Sequence, residues 1–474
     1  MNPSTASLIF VAGIVLLFWL NRDRTARTSK ALWIPVIWVL IAGSRPPSAW
    51  FAAPQTTDNI ASALEAGNPL ERNLFTVLLL LAVIVLLIRR RDVGLFLKAS
   101  GPVLLFLGYC AVSLLWSDFA QVGFKRWIKF VGDFLMVLVI VTDQDPIAAV
   151  NRVLTRTGFV IVPVSILFIR YYPDLGRDYG IYDGMAHWTG VTQNKNTLGL
   201  ICMIIGLGVV WRFLRALRSK GTKGRAGVML ANGLVFVMVV YLLHEADSAT
   251  SKSGLFFGGG IIAAISLFEV ARKPVVIHAM VGAAVTISVC ALFFNAGDLL
   301  HSLGRNSTLT GRTDLWRFVL AQPVNRLLGS GYEGFWLGPR LTTIWRLSGQ
   351  TPVQCHNGYI EIFVNLGWVG ITLLGLVAVT GYKKIIRAVR TDPKLNCLML
   401  GYFVAALLYN CTEAAFKMVD PVWIFFVWAI AAASKPSVAK RSFTSAPTES
   451  LPAQDLWARD EIGAGLSRRT LEAF

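Results

Sequence analysis

The chain has 474 residues, of which 55% are hydrophobic and only 15% are charged, and its mean hydropathy is +0.58. So few polar residues cannot cover the surface of a soluble protein of several domains. The composition therefore excludes soluble multidomain proteins and predicts a polytopic membrane protein. The net charge of +18 is explained by basic loops that flank membrane spans and attract anionic lipid. Membrane lipid is therefore an expected partner, and no nucleic-acid partner is predicted.

About thirteen apolar runs approach the length needed to cross a hydrocarbon core of about 30 Å. In chain order they lie near 6–20, 31–44, 73–88, 99–116, 127–141, 157–170, 195–211, 227–243, 254–271, 275–294, 358–381, 395–411 and 421–434. The first two are short, so twelve or fourteen spans are also compatible with the sequence. The predicted fold class is all-α, a polytopic bundle of about 12–13 transmembrane helices with a large helical outward loop.

Four regions follow from this pattern. Residues 1–294 hold spans one to ten, 295–357 form the large arginine-rich loop, and 358–434 hold the last spans. Residues 435–474 change to Ser, Thr, Pro, Ala and mixed charge, which is typical of a disordered tail.

Lysine and arginine clusters follow alternate spans, which indicates the orientation of the chain. The clusters are Arg22, Arg24, Arg27 and Lys30; Arg89, Arg90 and Arg91; Arg212, Arg215, Arg218, Lys220, Lys223 and Arg225; Arg272 and Lys273; and Lys383, Lys384, Arg387 and Arg390. These loops are predicted to be cytoplasmic, which puts the N-terminus outside and the tail inside. No cleaved secretory signal is predicted, because no basic residue precedes the first apolar run.

The segment from Asn295 to Gln354 is predicted to face outward and contains no lysine. It carries six arginines: Arg305, Arg312, Arg317, Arg326, Arg340 and Arg346. The planar guanidinium group grips phosphate through two parallel hydrogen bonds, so an anionic ligand is one interpretation. The alternative is that these arginines solvate the loop or touch lipid headgroups.

Three outward corners each carry a basic or titratable residue where an apolar helix begins. Asn194, Lys195 and Asn196 form the first, Ser248, Thr250, Ser251 and Lys252 the second, and His356 with Asn357 the third. The unpaired N–H groups and positive dipole ends of three such helices would suit a pyrophosphate. His356 can take and return a proton near neutrality. The alternative interpretation is ordinary helix capping, with the cations extended toward lipid headgroups.

Two further outward arginines complicate the charge pattern. Arg126 lies in WSDFAQVGFKRWIKF with Lys125 and Lys129, and Arg45 lies at a proline-broken helix end. The first stretch fits an amphipathic interfacial segment; if it is cytoplasmic instead, the span count is off by one nearby.

The succession GVTQNKNTLG, SATSKSG, LTGRTDLWRFVL, GSGYEGFW and HNGYIEIFVNLGWVG resembles the O-antigen ligase and polymerase superfamily, especially its exopolysaccharide-polymerase branch. The likeness runs from about Trp33 to Trp428. It implies a bacterial inner-membrane glycosyltransferase that acts at the periplasmic face on undecaprenyl-pyrophosphate-linked saccharides. A lipid-linked oligosaccharide would be the donor, and a saccharide or lipid-linked molecule the acceptor. Whether the chain is a polymerase or a ligase stays open, because both share these motifs.

The resemblance also implies roles for residues. His356 corresponds to the general base and Arg312 to the group that binds the donor pyrophosphate. The predicted substrate-binding residues are Lys252, Lys195, Asn196, Asn357, Arg45, Arg126 and Tyr332. Lys252 stands where the family has an arginine, so it keeps the charge but loses the bidentate geometry.

No cofactor and no metal are predicted. The six cysteines lack the paired spacing of a metal site, and Asp143 and Asp145 of the Asp-Gln-Asp sequence fall on the cytoplasmic side. A metal-independent transferase follows as a hypothesis, with arginines in the place of a divalent ion. A transporter or flippase of lipid-linked saccharide is the alternative, and it would require internal inverted repeats and charged residues near the middle of spans.

Overall fold

The computed structural model describes residues 1–22, 27–51, 62, 64–179, 184–219, 221, 224–268, 273–293 and 310–434. The predicted tail, residues 295–309 of the predicted loop, and the basic residues Arg24, Lys220, Lys223, Arg272 and Arg305 lie outside these ranges. The regular secondary structure of the described residues is helical apart from one small hairpin, in which β1 (Arg177–Tyr179) pairs antiparallel with β2 (Ala186–Trp188).

The helices account for all of the predicted apolar runs. They are α1 (Pro3–Leu20), α2 (Trp33–Ala42), α3 (Pro69–Ile88), α4 (Arg90–Ala99), α5 (Gly101–Val112), α6 (Ala120–Val141), α7 (Pro146–Tyr171), α8 (Lys195–Arg218), α9 (Arg225–Ala246), α10 (Ala249–Leu267), α11 (Pro274–Phe293), α12 (Thr310–Leu320), α13 (Gly338–Ser348), α14 (Gly358–Thr391), α15 (Pro393–Tyr409) and α16 (Pro421–Ala433). Short 3-10 turns at Lys30–Leu32, Pro47–Trp50 and Ser113–Trp116, and a single α-turn at Pro173–Gly176, complete the described part.

Seven of the described helices, namely α1, α3, α7, α8, α9, α10 and α14, are long and apolar enough to cross a membrane. The count becomes eight if α4 and α5, which meet at 85°, form one broken span. Shorter apolar helices, among them α15 and α16, lie among these long ones. The prediction of an all-α polytopic membrane bundle is therefore confirmed, while the number of spans and the domain boundaries stay predictions.

The packing order of the helices determines what meets at one end of the bundle. Helix α10 packs against both α8 and α15, and α15 packs against α14 and α16. The starts of α8, α10 and α14 all reach the connection between α15 and α16, because Asn196 bonds to Glu413, Thr250 to Thr412 and Asn357 to Cys411. The three predicted corners are therefore brought together around residues 410–420.

Side-chain caps fix where these three helices begin. Asn194 accepts a hydrogen bond from the Thr197 amide at 2.9 Å, and Asn357 accepts from Tyr359 and Ile360 at 3.0 and 3.1 Å. At the start of α10 the Ser248 hydroxyl accepts a hydrogen bond from the Ser251 amide. A cap of this kind contributes about 1 kcal/mol, so capping is part of what these corners do.

A break inside α14 anchors the loop that precedes this helix to the bundle. Gly367 has φ of +63°, a left-handed conformation that interrupts the helix and frees backbone groups on both sides. The loop fills these positions: the amides of Trp368 and Val369 donate to the carbonyls of Arg326 and Leu327, and the Ser330 amide donates to the Val364 carbonyl. The segment from Arg326 to Ser330 thus supplies hydrogen-bond partners to the backbone of α14 at the break. These bonds hold the loop beside α14.

Candidate active site

The centre of the site is the carboxylate of Glu413, in the connection between α15 and α16. His356 Nδ1 lies 3.0 Å from Glu413 Oε2, and Arg312 Nη2 lies 2.8 Å from Oε1. Asn196 Nδ2 donates to the same Oε1 at 3.0 Å, while Arg312 Nη1 donates to the Thr412 carbonyl. One carboxylate therefore joins residues from the loop and from the corners that open α8 and α14.

The three side chains of this arrangement differ in how deeply they are buried. The Glu413 side chain is 6% exposed, whereas those of Arg312 and His356 are 21% and 29% exposed. The carboxylate thus lies beneath the two cationic or titratable groups and orients them, while they retain access to a ligand. Hydrogen bonds to a charged, poorly solvated group of this kind are stronger than neutral ones.

The protonation state of Glu413 fixes the tautomer of His356. Burial alone raises the pKa of the Glu413 carboxyl, but the hydrogen bond from His356 and the charge of Arg312 outweigh burial and hold the pKa below its usual value. An ionised carboxylate can only accept, so the imidazole proton resides on Nδ1 and donates to it. In the neutral ring the lone pair is then on Nε2, the nitrogen that a base would use.

The backbone of His356 is held in an unusual conformation. Its φ is +50°, in the left-handed region that residues with a Cβ rarely adopt. Strain of this kind costs about 1–3 kcal/mol and persists only where surrounding contacts enforce it. Here Asn357 caps α14 immediately afterwards and also donates to the Cys411 carbonyl at 2.9 Å.

Lys417 and Gln354 form a second layer of polar residues beside the imidazole. Lys417 Nζ donates to Gln354 Oε1 at 3.0 Å, which orients the Gln354 amide with its nitrogen toward His356 Nδ1 at 3.4 Å. That approach is long for a hydrogen bond, and Glu413 at 3.0 Å is the better partner for the Nδ1 proton. The Thr250 and Thr412 hydroxyls meet at 2.5 Å and bring the start of α10 to the same connection.

The two lysines of the predicted corners differ in their surroundings. Lys195 is the first residue of α8, next to Asn196, and is partly buried. Lys252 forms an exposed ion pair of 2.9 Å with Asp247. A role for either lysine in substrate binding stays a prediction.

The remaining predicted residues make their contacts elsewhere. Arg45 donates to the carbonyls of Thr192 and Leu175 and to the Thr189 hydroxyl, and its guanidinium lies over Trp50. These contacts tie it to the segment that precedes α8.

Arg126 and Tyr332 belong to the contacts between α6 and the loop. Arg126 donates to the Glu333 carbonyl at 2.9 Å and lies 3.4 Å from its carboxylate. Tyr332 is 2% exposed and stacks on Phe130, with ring centroids 5.3 Å apart. A role in substrate binding for Arg45, Arg126 and Tyr332 stays a prediction.

Sequence reasoning missed Glu413. The signal was present, because a lone acidic residue in CTEAAF follows an apolar run that ends on the same predicted side as the three corners. A pyrophosphate site built from cations gives no direct reason to include an anion. Among the described residues, no group of three or more His, Cys, Asp and Glu side chains is placed to share a metal ion.

Gly358→Ala should disrupt this site, because the backbone of α14 touches the connection that carries Glu413. A Cβ at Gly358 would lie 2.0 Å from Asn410 Oδ1, which cannot retreat since it accepts from the amides of Ala415 and Phe416. We expect the free energy of unfolding to fall by about 1–3 kcal/mol, which would lower the unfolding temperature of the detergent-solubilised protein.

Gly375→Ala, on the same helix, is the matched control. No atom lies within 4 Å of a Cβ at Gly375, so alanine there should be neutral or slightly stabilising. Equal unfolding temperatures for the two variants would contradict the close packing at Gly358.

Known proteins that resemble the chain have names that concern polysaccharide production or ligation. Exopolysaccharide production protein ExoQ of Rhizobium meliloti is 27% identical over 317 residues, which cover 64% of this chain and 69% of that protein. "Putative polysaccharide ligase" of Rickettsia felis is 22% identical over 340 residues, or 68% of this chain and 78% of that protein. A protein of the same description from Rickettsia prowazekii is 20% identical over 363 residues, covering 70% and 80%.

No protein-family model matches the chain. The relatives nevertheless share most of its length, and the chain carries the motifs that suggested the family. Taken together, the polytopic helical fold and these relatives support the placement of the chain in the O-antigen ligase and polymerase superfamily.

Proposed function

We propose that the chain is a glycosyltransferase that transfers or polymerises undecaprenyl-pyrophosphate-linked oligosaccharides at the periplasmic face of the bacterial inner membrane. The observation that carries the proposal is the shared carboxylate: His356 and Arg312, far apart in sequence, bind the two oxygens of Glu413. A base and a permanent cation are thereby held at one site. The names of the relatives, which concern exopolysaccharide production and polysaccharide ligation, agree with this reaction.

In this reaction His356 acts as the general base. Its Nε2 removes the proton from an acceptor hydroxyl as the hydroxyl oxygen attacks the anomeric carbon of the donor sugar. The glycosidic bond forms while the bond between that carbon and the pyrophosphate oxygen breaks. Glu413 keeps the proton on Nδ1 and stabilises the imidazolium that forms, as the carboxylate of a catalytic triad does.

Arg312 stabilises the leaving pyrophosphate, which departs with the bonding electron pair. A guanidinium group has five N–H donors, and the two terminal nitrogens each direct one to Glu413 or Thr412. The remaining donors, on a side chain that is 21% exposed, are left for a phosphate oxygen. Lys195 and the positive ends of α8, α10 and α14 add to the positive potential.

The charge distribution along the helices supports the outward orientation of the site. Helix α8 begins at Lys195 beside Glu413 and ends in a turn that carries Arg215 and Arg218, and α14 carries Arg387 and Arg390 near its far end. Clusters of this kind favour the cytoplasmic side, so the opposite ends of both helices face the periplasm.

Purified full-length protein and a defined undecaprenyl-pyrophosphate-linked repeat unit provide the test. A polymerase should extend the repeat unit without an added acceptor, whereas a ligase should form product only when an acceptor is supplied. Absence of transfer under both conditions, with folded protein, would contradict the proposal. If a chelator abolished transfer and a divalent ion restored it, only the metal independence of the reaction would be contradicted.

A further inference from the structure

A polar cavity lies between the end of α1 and the first turns of α7. Its volume is about 160 Å³, well above the roughly 10–15 Å³ that one water requires. The polar residues that line it are Asn21, Arg22, Asn151, Arg152, Thr155 and Arg156. None of its described lining residues is acidic. The cavity is therefore basic and large enough for a small polar group.

This cavity is at the opposite end of the bundle from Glu413. Thr155, on its wall, accepts a hydrogen bond from Arg212 Nη1 at 2.6 Å. Arg212 follows Asn196 on the same helix, α8, by sixteen residues, a distance of about 24 Å at 1.5 Å per residue. Since Asn196 touches Glu413, the cavity is not part of the proposed active site.

Several buried polar atoms around the cavity lack a partner within the described chain. They are Arg156 Nη1, Arg212 Nη2 and Asn151 Oδ1, and Arg212 itself is only 4% exposed. Arg156 is positioned by stacking, with its guanidinium carbon 4.2 Å from the centre of the Trp33 ring. A buried donor without an acceptor costs about 1–3 kcal/mol, so these groups favour a ligand that supplies acceptors.

Two carboxylates that the structure describes nearby are committed to other contacts. Asp143 pairs with Arg89 at 3.1 Å and accepts from Ser29, and Asp145 caps α7 by accepting from the amides of Ile147 and Ala148. Neither carboxylate is therefore available to Arg156, whose Nη1 has no partner within the described chain. Oxygen atoms of a phosphate match a cluster of arginines better than one carboxylate does, because they accept from several guanidinium groups at once.

We propose that this cavity is a second anion site, separate from the active site, which binds a phosphate group at the end of the bundle opposite Glu413. Arg22 and Arg156 contact the phosphate, and Asn151 Oδ1 accepts from a hydroxyl next to it. Two sources share this chemistry: the headgroup of an anionic phospholipid and a soluble phosphate compound.

The test uses the full-length protein in nanodiscs. In phosphatidylcholine discs doped with phosphatidylglycerol, native mass spectrometry should show bound phosphatidylglycerol that Arg156→Gln and Arg22→Gln reduce about 10-fold or more. Arg22 is exposed, so its variant tests the site even if Arg156→Gln fails to fold. Arg218→Gln, an exposed arginine at the end of α8, is the control and should bind like the unchanged protein.

A second arm distinguishes the sources. In discs of phosphatidylcholine alone, inorganic phosphate is titrated and its binding is followed by ³¹P NMR. Binding of phosphate that depends on Arg22 and Arg156 would support the site with a soluble ligand, and binding of phosphatidylglycerol alone would assign it to lipid. If folded Arg22→Gln binds both probes as well as the unchanged protein, or if the unchanged protein binds neither, the proposal is overturned.

Discussion

Glu413→Gln should lower the rate of saccharide transfer by about 10³- to 10⁴-fold, the loss expected when a catalytic imidazole is no longer held in its working tautomer. A glutamine at this position presents both a donor and an acceptor, so it does not force the His356 proton onto Nδ1 as the carboxylate does. It also removes the negative charge that balances Arg312. Initial rates with a lipid-linked repeat unit, with the amount of folded membrane protein measured in parallel, provide the measurement.

A double variant shows whether Glu413 acts through His356. If the carboxylate works by orienting the imidazole, His356→Ala with Glu413→Gln should lose little more activity than His356→Ala alone, because residues that act as a unit are not additive. Losses that multiply would contradict this dependence. Asp314→Asn removes an exposed carboxylate two residues from Arg312 and should leave the rate within about twofold.

The sequence was sufficient to predict that three helix starts lie on the same side of the bundle. The pattern of spans and basic loops put the starts of α8, α10 and α14 on one side, and the structure brings Asn196, Thr250 and His356 to a single connection. This worked because the direction of a membrane helix follows from the number of crossings before it and from loop charge. The distance between two helix starts on that side depends on packing, which the hydrophobic pattern does not specify.

The partner of each polar side chain could not be predicted in the same way. Outward arginines look alike in sequence, yet Arg312 binds a carboxylate beside a histidine, whereas Arg45 binds backbone carbonyls and covers a tryptophan. Glu413 was missed because its importance arises from contacts with residues distant in sequence. The break at Gly367, which admits the loop into α14, was likewise hidden within a continuous apolar run.

Arg312→Lys should lower kcat/KM for the lipid-linked donor by about 10²-fold, and Arg312→Ala by about 10³-fold or more. Lysine retains the charge, but a single ammonium group cannot direct separate donors to Glu413, Thr412 and a phosphate as the planar guanidinium can. If the charge alone were needed, lysine would restore nearly all activity. The rates of transfer over a range of donor concentrations separate weaker donor binding from slower release of the pyrophosphate.

Arg317 is the matched control, because it lies on the same helix, is 79% exposed and pairs only loosely with Asp314 at 3.3 Å. Arg317→Ala should therefore change kcat/KM by about twofold at most. An equal loss of kcat/KM in Arg312→Ala and Arg317→Ala would mean that the positive charge of the whole loop matters, and not the position of the Arg312 guanidinium. A loss of folded protein in Arg312→Ala, with normal kcat/KM in the fraction that remains, would mean that Arg312 serves only to hold the connection between α15 and α16 in place.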